Sequence, residues 1–116
     1  MSEFTFLFRG RLAQASPEQM QQHLQNWIDW FNELRADARL KDTGNSLELG
    51  GKLVSGKEKL VSDGPFVEAK DIIGGYILVE ATDLNHATEL AKGCPILSVG
   101  GSVEVRAVQT LGDEWN

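Results

Sequence analysis

The chain has 116 residues, of which 41% are hydrophobic and 24% charged, enough for one hydrophobic core and one domain. Its formal net charge of -6, with no run of five like charges, argues against a nucleic acid or an anionic membrane surface as a partner. No apolar stretch approaches the roughly 20 residues that cross a bilayer, and the N-terminus lacks the pattern of a secretory signal. With a lone cysteine, Cys94, these features predict a cytoplasmic protein.

The first half of the chain predicts a strand followed by a long helix. Phenylalanines alternate with other residues over 3–9, which is the period of a strand. Ser16, followed by Pro17 and then Gln19, is typical of a capping box, so the helix is predicted at 17 to about 39. Apolar residues at helical spacing predict one buried face along this helix, formed by Met20, Leu24, Trp27, Ile28, Phe31, Leu34 and Ala38.

The second half predicts short strands around a second helix. Residues 41–46 (KDTGNS) have the composition of a turn. Gly74 and Gly75 indicate a bulge or a close backbone approach before the next strand. In chain order, the patterns then predict a hairpin at 46–62, a strand at 76–81, a helix capped by Asp83 or Thr82 and ended by Gly93, and a strand at 102–108.

This order of elements predicts an α+β fold. Two split βαβ units give a ferredoxin-like βαβ(β)βαβ arrangement, an antiparallel sheet with two helices on one face. The segments FTFLF and YILV carry apolar residues on both faces, so we expect the helix-free face to be covered by a second copy of the chain, in a homodimer. Residues 1–109 are predicted to form the single domain, and 110–116 a C-terminal tail.

The most unusual stretch is the loop that contains Asp63-Gly64-Pro65-Phe66. Turn chemistry alone explains such a cluster, because Pro fixes φ, Gly permits positive φ and Asp accepts hydrogen bonds from the backbone. A loop that also presents a carboxylate and an aromatic ring is equally a candidate ligand site, so both interpretations stay open here.

A resemblance runs through nearly the whole chain. DGPFVEAK, then IIGGYILVEA, ELAKGCPIL and GGSVEVRAV, with SPEQMQQHLQNWIDWFNEL in the first helix, resembles the DGPF-type branch of the YCII-related domain family. The resemblance implies a dimeric α+β barrel with a cleft between the helix side and the loop, and an activity that is largely unassigned. It also implies a catalytic pair in that cleft, a His and an Asp. Asp63 stands where the signature Asp stands, whereas no histidine begins the first helix.

His23, in the second turn of the first helix, is the candidate partner of Asp63. At 100° per residue it falls on the shoulder of the apolar face, where a side chain lines a cleft or keeps its tip in water. If Asp63 held one imidazole nitrogen, the other would be a general base near neutral pH. His23 and Asp63 are therefore the predicted catalytic residues.

The remaining candidates surround this pair. Phe66 and Trp30 are predicted to wall a pocket, and Glu68, Lys70 and Arg9 to contact a ligand, although solvated charges explain the last three equally well. His23, His86 and Cys94 lack metal-ligand spacing, and Gly74-Gly75 is no dinucleotide motif, so no metal and no cofactor is predicted. Cys94, before a proline, is expected to be a small buried hydrophobe.

Three functions are compatible with these residues. The first is a small-molecule-binding homodimer with acid/base chemistry in a cleft near Asp63. The second is a binding or accessory module without turnover. The third, by analogy of fold alone, is a cofactor-free oxygenase-like enzyme. No nucleic acid or membrane partner is expected for any of them.

Overall fold

The computed structural model of the protein describes residues 1–64 and 71–109. Their elements follow the order strand, helix, four strands, helix, strand. The bounds are β1 Ser2–Arg9, α1 Pro17–Ala36, β2 Leu40–Ser46, β3 Gly51–Ser55, β4 Leu60–Gly64, β5 Ile73–Ala81, α2 Leu84–Ala91 and β6 Ser102–Ala107, with a 3₁₀ helix, Pro95–Val99, between α2 and β6. The predicted tail, 110–116, lies outside the described residues.

The main sheet has four strands in the order β2-β5-β1-β6, and each neighbouring pair is antiparallel. The central strand β1 pairs with β5 on one side and β6 on the other, so that Phe6 lies between Ile77 and Val105. The register shifts at the end of β1, where Phe8 pairs with Gly75 and Arg9 with Ile73. The α+β class and the antiparallel sheet are confirmed, and Gly74 occupies the predicted bulge.

Capping fixes where α1 begins, as the sequence predicts. The Ser16 side chain accepts from the Gln19 backbone N–H, and the Gln19 side chain accepts from the Ser16 N–H. The helix ends at Ala36, before the predicted end near residue 39. Ala38 takes a positive φ of 57°, and this left-handed residue turns the chain from α1 into β2.

The turn predicted at residues 41–46 is wrong, because these residues lie in the edge strand β2. Turn-type residues are accommodated there by irregular pairing, with register shifts on both sides of Asp42. Gly44 has φ +57°, its N–H donates to the Asp42 carboxylate at 2.7 Å, and a Cβ at this position would overlap the Tyr76 carbonyl. Glycine and aspartate here form a bulged edge strand whose backbone lies very close to that of its neighbour β5.

One core lies between the sheet and the two helices. The strands contribute alternate residues, Phe4, Phe6 and Phe8 from β1 and Ile77, Val79 and Ala81 from β5. Trp30 and Leu34 from α1 and Ala87 and Ala91 from α2 belong to the same buried cluster. Both helices therefore cover the same face of the sheet, as predicted.

The apolar stripe of α1 is only partly buried, which corrects the prediction of one buried face. Trp30 and Leu34 are 4% and 3% exposed, whereas Met20, Leu24 and Ile28 are 48%, 60% and 45% exposed. At 100° per residue, Met20, Leu24 and Ile28 lie on one flank of the apolar face, whereas Trp30 and Leu34 lie on the other. The sheet covers the side that contains Trp30, and the other side remains open.

The helix-free face of the sheet carries both apolar and charged residues. Thr5, Leu7, Tyr76 and Leu78 form its centre and are half-buried. At one end Arg9 pairs with Glu104 at 2.9 Å, and Arg106 pairs with the same carboxylate at 3.2 Å. At the other end Lys41 bridges Glu3 at 2.8 Å and Glu80 at 3.5 Å. Glu104 and Arg106 therefore take part in ion pairs on this face.

Candidate functional site: an apolar groove beside the first helix

A groove of about 910 Å3 runs along the open side of α1. One wall is the stripe that the sheet leaves uncovered, Met20, Leu24 and Ile28, and the other includes Leu47 and Leu49, which follow β2. Aromatic residues line it as well, namely Phe8, Trp27 and Phe31. We call this cavity the apolar groove; its residues are mostly hydrophobic and aromatic, which is typical of small-molecule sites.

The second wall is held in place by the bulged edge of the sheet. The Leu47 N–H donates to the Gly74 carbonyl at 2.9 Å, so the segment after β2 is tied to the start of β5. The Asn45 side-chain amide donates to the Tyr76 hydroxyl at 3.1 Å. Sequence reasoning missed this wall because it placed Leu47 and Leu49 in the hairpin predicted at 46–62, whereas β3 begins only at Gly51. The two leucines within a polar stretch were the available signal.

His23 lies where the apolar groove meets a smaller depression of about 400 Å3. The depression is lined by polar side chains that include Gln19, Gln22, Asn26 and Ser98, and we call it the polar depression. The Trp27 indole N–H donates to His23 Nε2 at 3.0 Å, one helical turn along α1. The predicted position of His23 on the shoulder of the helix agrees with this half-buried place at a cavity.

Asp63, in contrast, lies in the β3–β4 hairpin, where Lys52 pairs with its carboxylate across the two strands. Its side chain is 80% exposed, and neither cavity has it among the described residues that line it. The structure thus gives the two predicted catalytic residues different partners, Lys52 for Asp63 and Trp27 for His23.

The other predicted site residues are also spread over the fold. Trp30 is buried in the core, stacked on Phe6 at a centroid distance of 6.2 Å, and it lies behind Trp27 rather than among the described residues of the groove wall. Arg9 donates to the Asp71 carbonyl at 2.7 Å and to Glu104, on the helix-free face. Phe66, Glu68 and Lys70 lie outside the described residues.

Three titratable groups within residues 1–64 and 71–109 have shifted pKa values, and none of the three is among the residues that line either cavity. Burial raises the pKa of the Cys94 thiol to about 12, so the thiol stays protonated, in keeping with its predicted character as a buried hydrophobe. Hydrogen bonds from Arg9 and Arg106 lower the pKa of Glu104. A hydrogen bond to Glu3 raises the pKa of Lys41.

Within residues 1–64 and 71–109, no group of three or more His, Cys, Asp or Glu side chains is placed to hold a metal ion. The helices in these two ranges are all too short or too polar to cross a membrane.

A family model described as the YCII-related domain matches residues 5–115, and the chain therefore belongs to the YCII-related domain family. Among curated proteins, no sequence matches this chain. One similar solved structure is 5-chloro-2-hydroxyhydroquinone dehydrochlorinase (TftG) from Burkholderia phenoliruptrix AC1100, in complex with 2,5-dihydroxybenzoquinone. That similarity covers 98% of each chain, with 16% sequence identity and a TM-score of 0.44.

Proposed function

We propose that this member of the YCII-related family binds a small, largely apolar organic molecule in the apolar groove. The observation that carries the proposal is the exposed stripe on α1. Met20, Leu24 and Ile28 are each about half exposed and face the same cavity as Leu47 and Leu49. A contiguous apolar surface in a concavity of this size is the usual place for a small organic ligand, and it loses contact with water when the ligand binds.

The binding role has more support than acid/base catalysis by His23 and Asp63. His23 lines the groove, but its Nε2 already accepts a hydrogen bond from Trp27. The Asp63 carboxylate is paired with Lys52 and largely exposed. Catalysis by this pair requires both side chains to exchange partners when a substrate arrives, and it stays a prediction beside the binding function.

Binding is tested with α-tetralone, a bicyclic ketone, added to the purified protein and followed by protein NMR and calorimetry. Leu24→Gln, in the groove wall, is expected to weaken binding about tenfold, because it removes an apolar contact with the ligand. Leu84→Gln is the matched control, since Leu84 is also helical and 53% exposed but is not among the groove residues. Equal affinities in the two variants, or no binding by the unmodified protein, would contradict the proposal.

We also propose that the protein is a homodimer that pairs through the helix-free face. Leu7, Tyr76 and Leu78 give this face an apolar centre, and the charged residues around it are already paired within the chain. Paired charges cost less to bury than isolated ones, so the face is suited to contact a second copy of itself.

The dimer is tested by light scattering at micromolar concentration. The unmodified protein is expected to have twice the mass of one chain, and Leu78→Lys, which places an unpaired charge in the centre of the face, is expected to have the mass of one chain. The control Leu84→Lys adds the same charge on α2 and leaves the dimer intact. A monomeric unmodified protein would refute the proposal.

A further inference from the structure

His23 separates two cavities of different chemistry. On one side is the apolar groove, and on the other is the polar depression with its amide and hydroxyl groups. Among the described residues, His23 and Leu12 are the two that line both cavities, and His23 is the polar one. A ligand that fills the groove and carries a polar substituent therefore meets the imidazole where its apolar part ends.

The hydrogen bond from Trp27 decides which nitrogen of His23 carries the proton. An indole N–H is only ever a donor, so His23 Nε2, at 3.0 Å from Trp27 Nε1, must accept and must be unprotonated. A neutral imidazole then carries its hydrogen on Nδ1. The free nitrogen of His23 is thus a hydrogen-bond donor, and among the hydrogen bonds of the described residues none uses it.

Trp27 is well placed to impose this tautomer because aromatic rings fix its orientation. Its ring packs edge-on against Phe8 at 4.9 Å and against Trp30 and Phe31 at 5.8 Å each. Rotating the indole away from His23 would break these three contacts. Trp27 is therefore a positioning residue, which acts on a ligand through His23.

The charges around the groove favour a neutral ligand. Arg11 and Glu48 both line the groove, so its described lining includes one positive and one negative side chain. A ligand with a full charge would gain from one of them and lose by the other. A neutral oxygen acceptor, such as a carbonyl, avoids this conflict and suits a single N–H donor.

We infer that His23 Nδ1–H, held in that tautomer by Trp27, donates a hydrogen bond to a neutral carbonyl-type oxygen of a ligand whose flat apolar part occupies the apolar groove. The inference rests on the proposed groove-binding function and adds the chemical class of the ligand. It assigns His23 the role of a donor that selects the ligand, in place of the general base predicted from the sequence.

The tautomer is tested first, by ¹⁵N NMR of the imidazole rings near pH 8, where an ordinary histidine is neutral. His86 is an internal reference of opposite type, because its Nδ1 accepts from the Thr82 N–H at 3.0 Å and its proton must lie on Nε2. The His86→Gln variant assigns the two signals. We expect His23 to be protonated on Nδ1, and Trp27→Phe to remove that preference. A proton on His23 Nε2 in the unmodified protein would overturn the inference.

The ligand class is tested by comparing α-tetralone with tetralin, the same bicyclic skeleton without the ketone. The preference for the ketone is expected to fall about fivefold in His23→Phe, the typical effect of one hydrogen bond. In His23→Phe the Trp27 N–H loses its acceptor and could itself donate to the ketone. The double variant His23→Phe with Trp27→Phe removes this donor too, and it should show the same fivefold fall in the preference for the ketone. An unchanged preference in the double variant refutes the role of His23.

The two proposals fail in different ways. If both compounds bind, and Leu24→Gln weakens both, the groove function stands even when the ketone preference does not depend on His23. If neither compound binds the unmodified protein, the groove function itself is refuted, and the ligand class fails with it.

Discussion

The two sides of the apolar stripe on α1 have similar side chains in different surroundings. One side places Trp30 and Leu34 against the sheet, where they are 4% and 3% exposed. The other side places Met20, Leu24 and Ile28 beside a cavity, with each side chain about half exposed. Both sets have helical spacing, so the periodicity that identifies an apolar face does not tell which part of it packs in the core and which part is available to a ligand.

The largest effect is expected when the side of α1 that the sheet covers is changed. Leu34→Ala should lower the free energy of unfolding by about 2–5 kcal/mol, because it removes buried methyl groups and leaves a cavity under the helix. Urea denaturation followed by circular dichroism measures this loss. A loss below about 1 kcal/mol would mean that the two sides of α1 are more alike in packing than their exposures indicate.

An intermediate effect on stability is expected from Cys94. This residue lies in the same buried cluster as Trp30 and Leu34. Burial raises its pKa from 9.0 to about 12, so the folded state holds the thiol proton more tightly than the unfolded state does. The associated stability is fully present below pH 9.0 and is lost as the pH rises toward about 12.

Between about pH 8 and about pH 10, the unmodified protein should lose about 1.3 kcal/mol more stability than Cys94→Ala, which has no thiol. Urea denaturation of both proteins at the two pH values gives this difference, and other titrating groups cancel. Parallel pH profiles for the two proteins would show that water reaches the core beside α1.

The smallest effect is expected on the open side of α1. Leu24→Ala should change the free energy of unfolding by no more than about 0.5 kcal/mol, because the side chain is 60% exposed and alanine suits a helix. The same urea experiment measures it against Leu34→Ala, an identical substitution ten residues along the helix. A large loss of stability in Leu24→Ala would mean that Leu24 makes a stabilising contact that is not seen among the described residues.

Local signals predicted much of the fold. The alternating phenylalanines, the Ser16 capping box and the Gly74 bulge depend on neighbouring residues, and the structure agrees with each. The edge strand β2 was missed because its irregular pairing depends on β5, some thirty residues further along, rather than on its own turn-type composition. Local sequence patterns carry little information about such a distant partner.

The site was less predictable than the fold. Its first wall is the flank of the apolar face of α1 that the sheet leaves uncovered. The sequence shows the whole apolar face, but it does not show which flank contacts the sheet. The Trp27–His23 hydrogen bond has a local signal, since the two residues are four apart on a helix. The separate partners of Asp63 and His23 depend on where the β3–β4 hairpin lies, and sequence spacing does not give that position.

The central place of β1 also has a consequence for biosynthesis. Phe4 pairs with Val79 in β5 and with Ala107 in β6, so the first strand of the sheet gains its neighbours only after most of the chain has been made. At about 5–20 residues per second, on the order of 5–20 s separate the emergence of β1 from that of β6. During most of that interval the three phenylalanines of β1 lack both strands that flank them, so they are exposed apolar residues of the nascent chain.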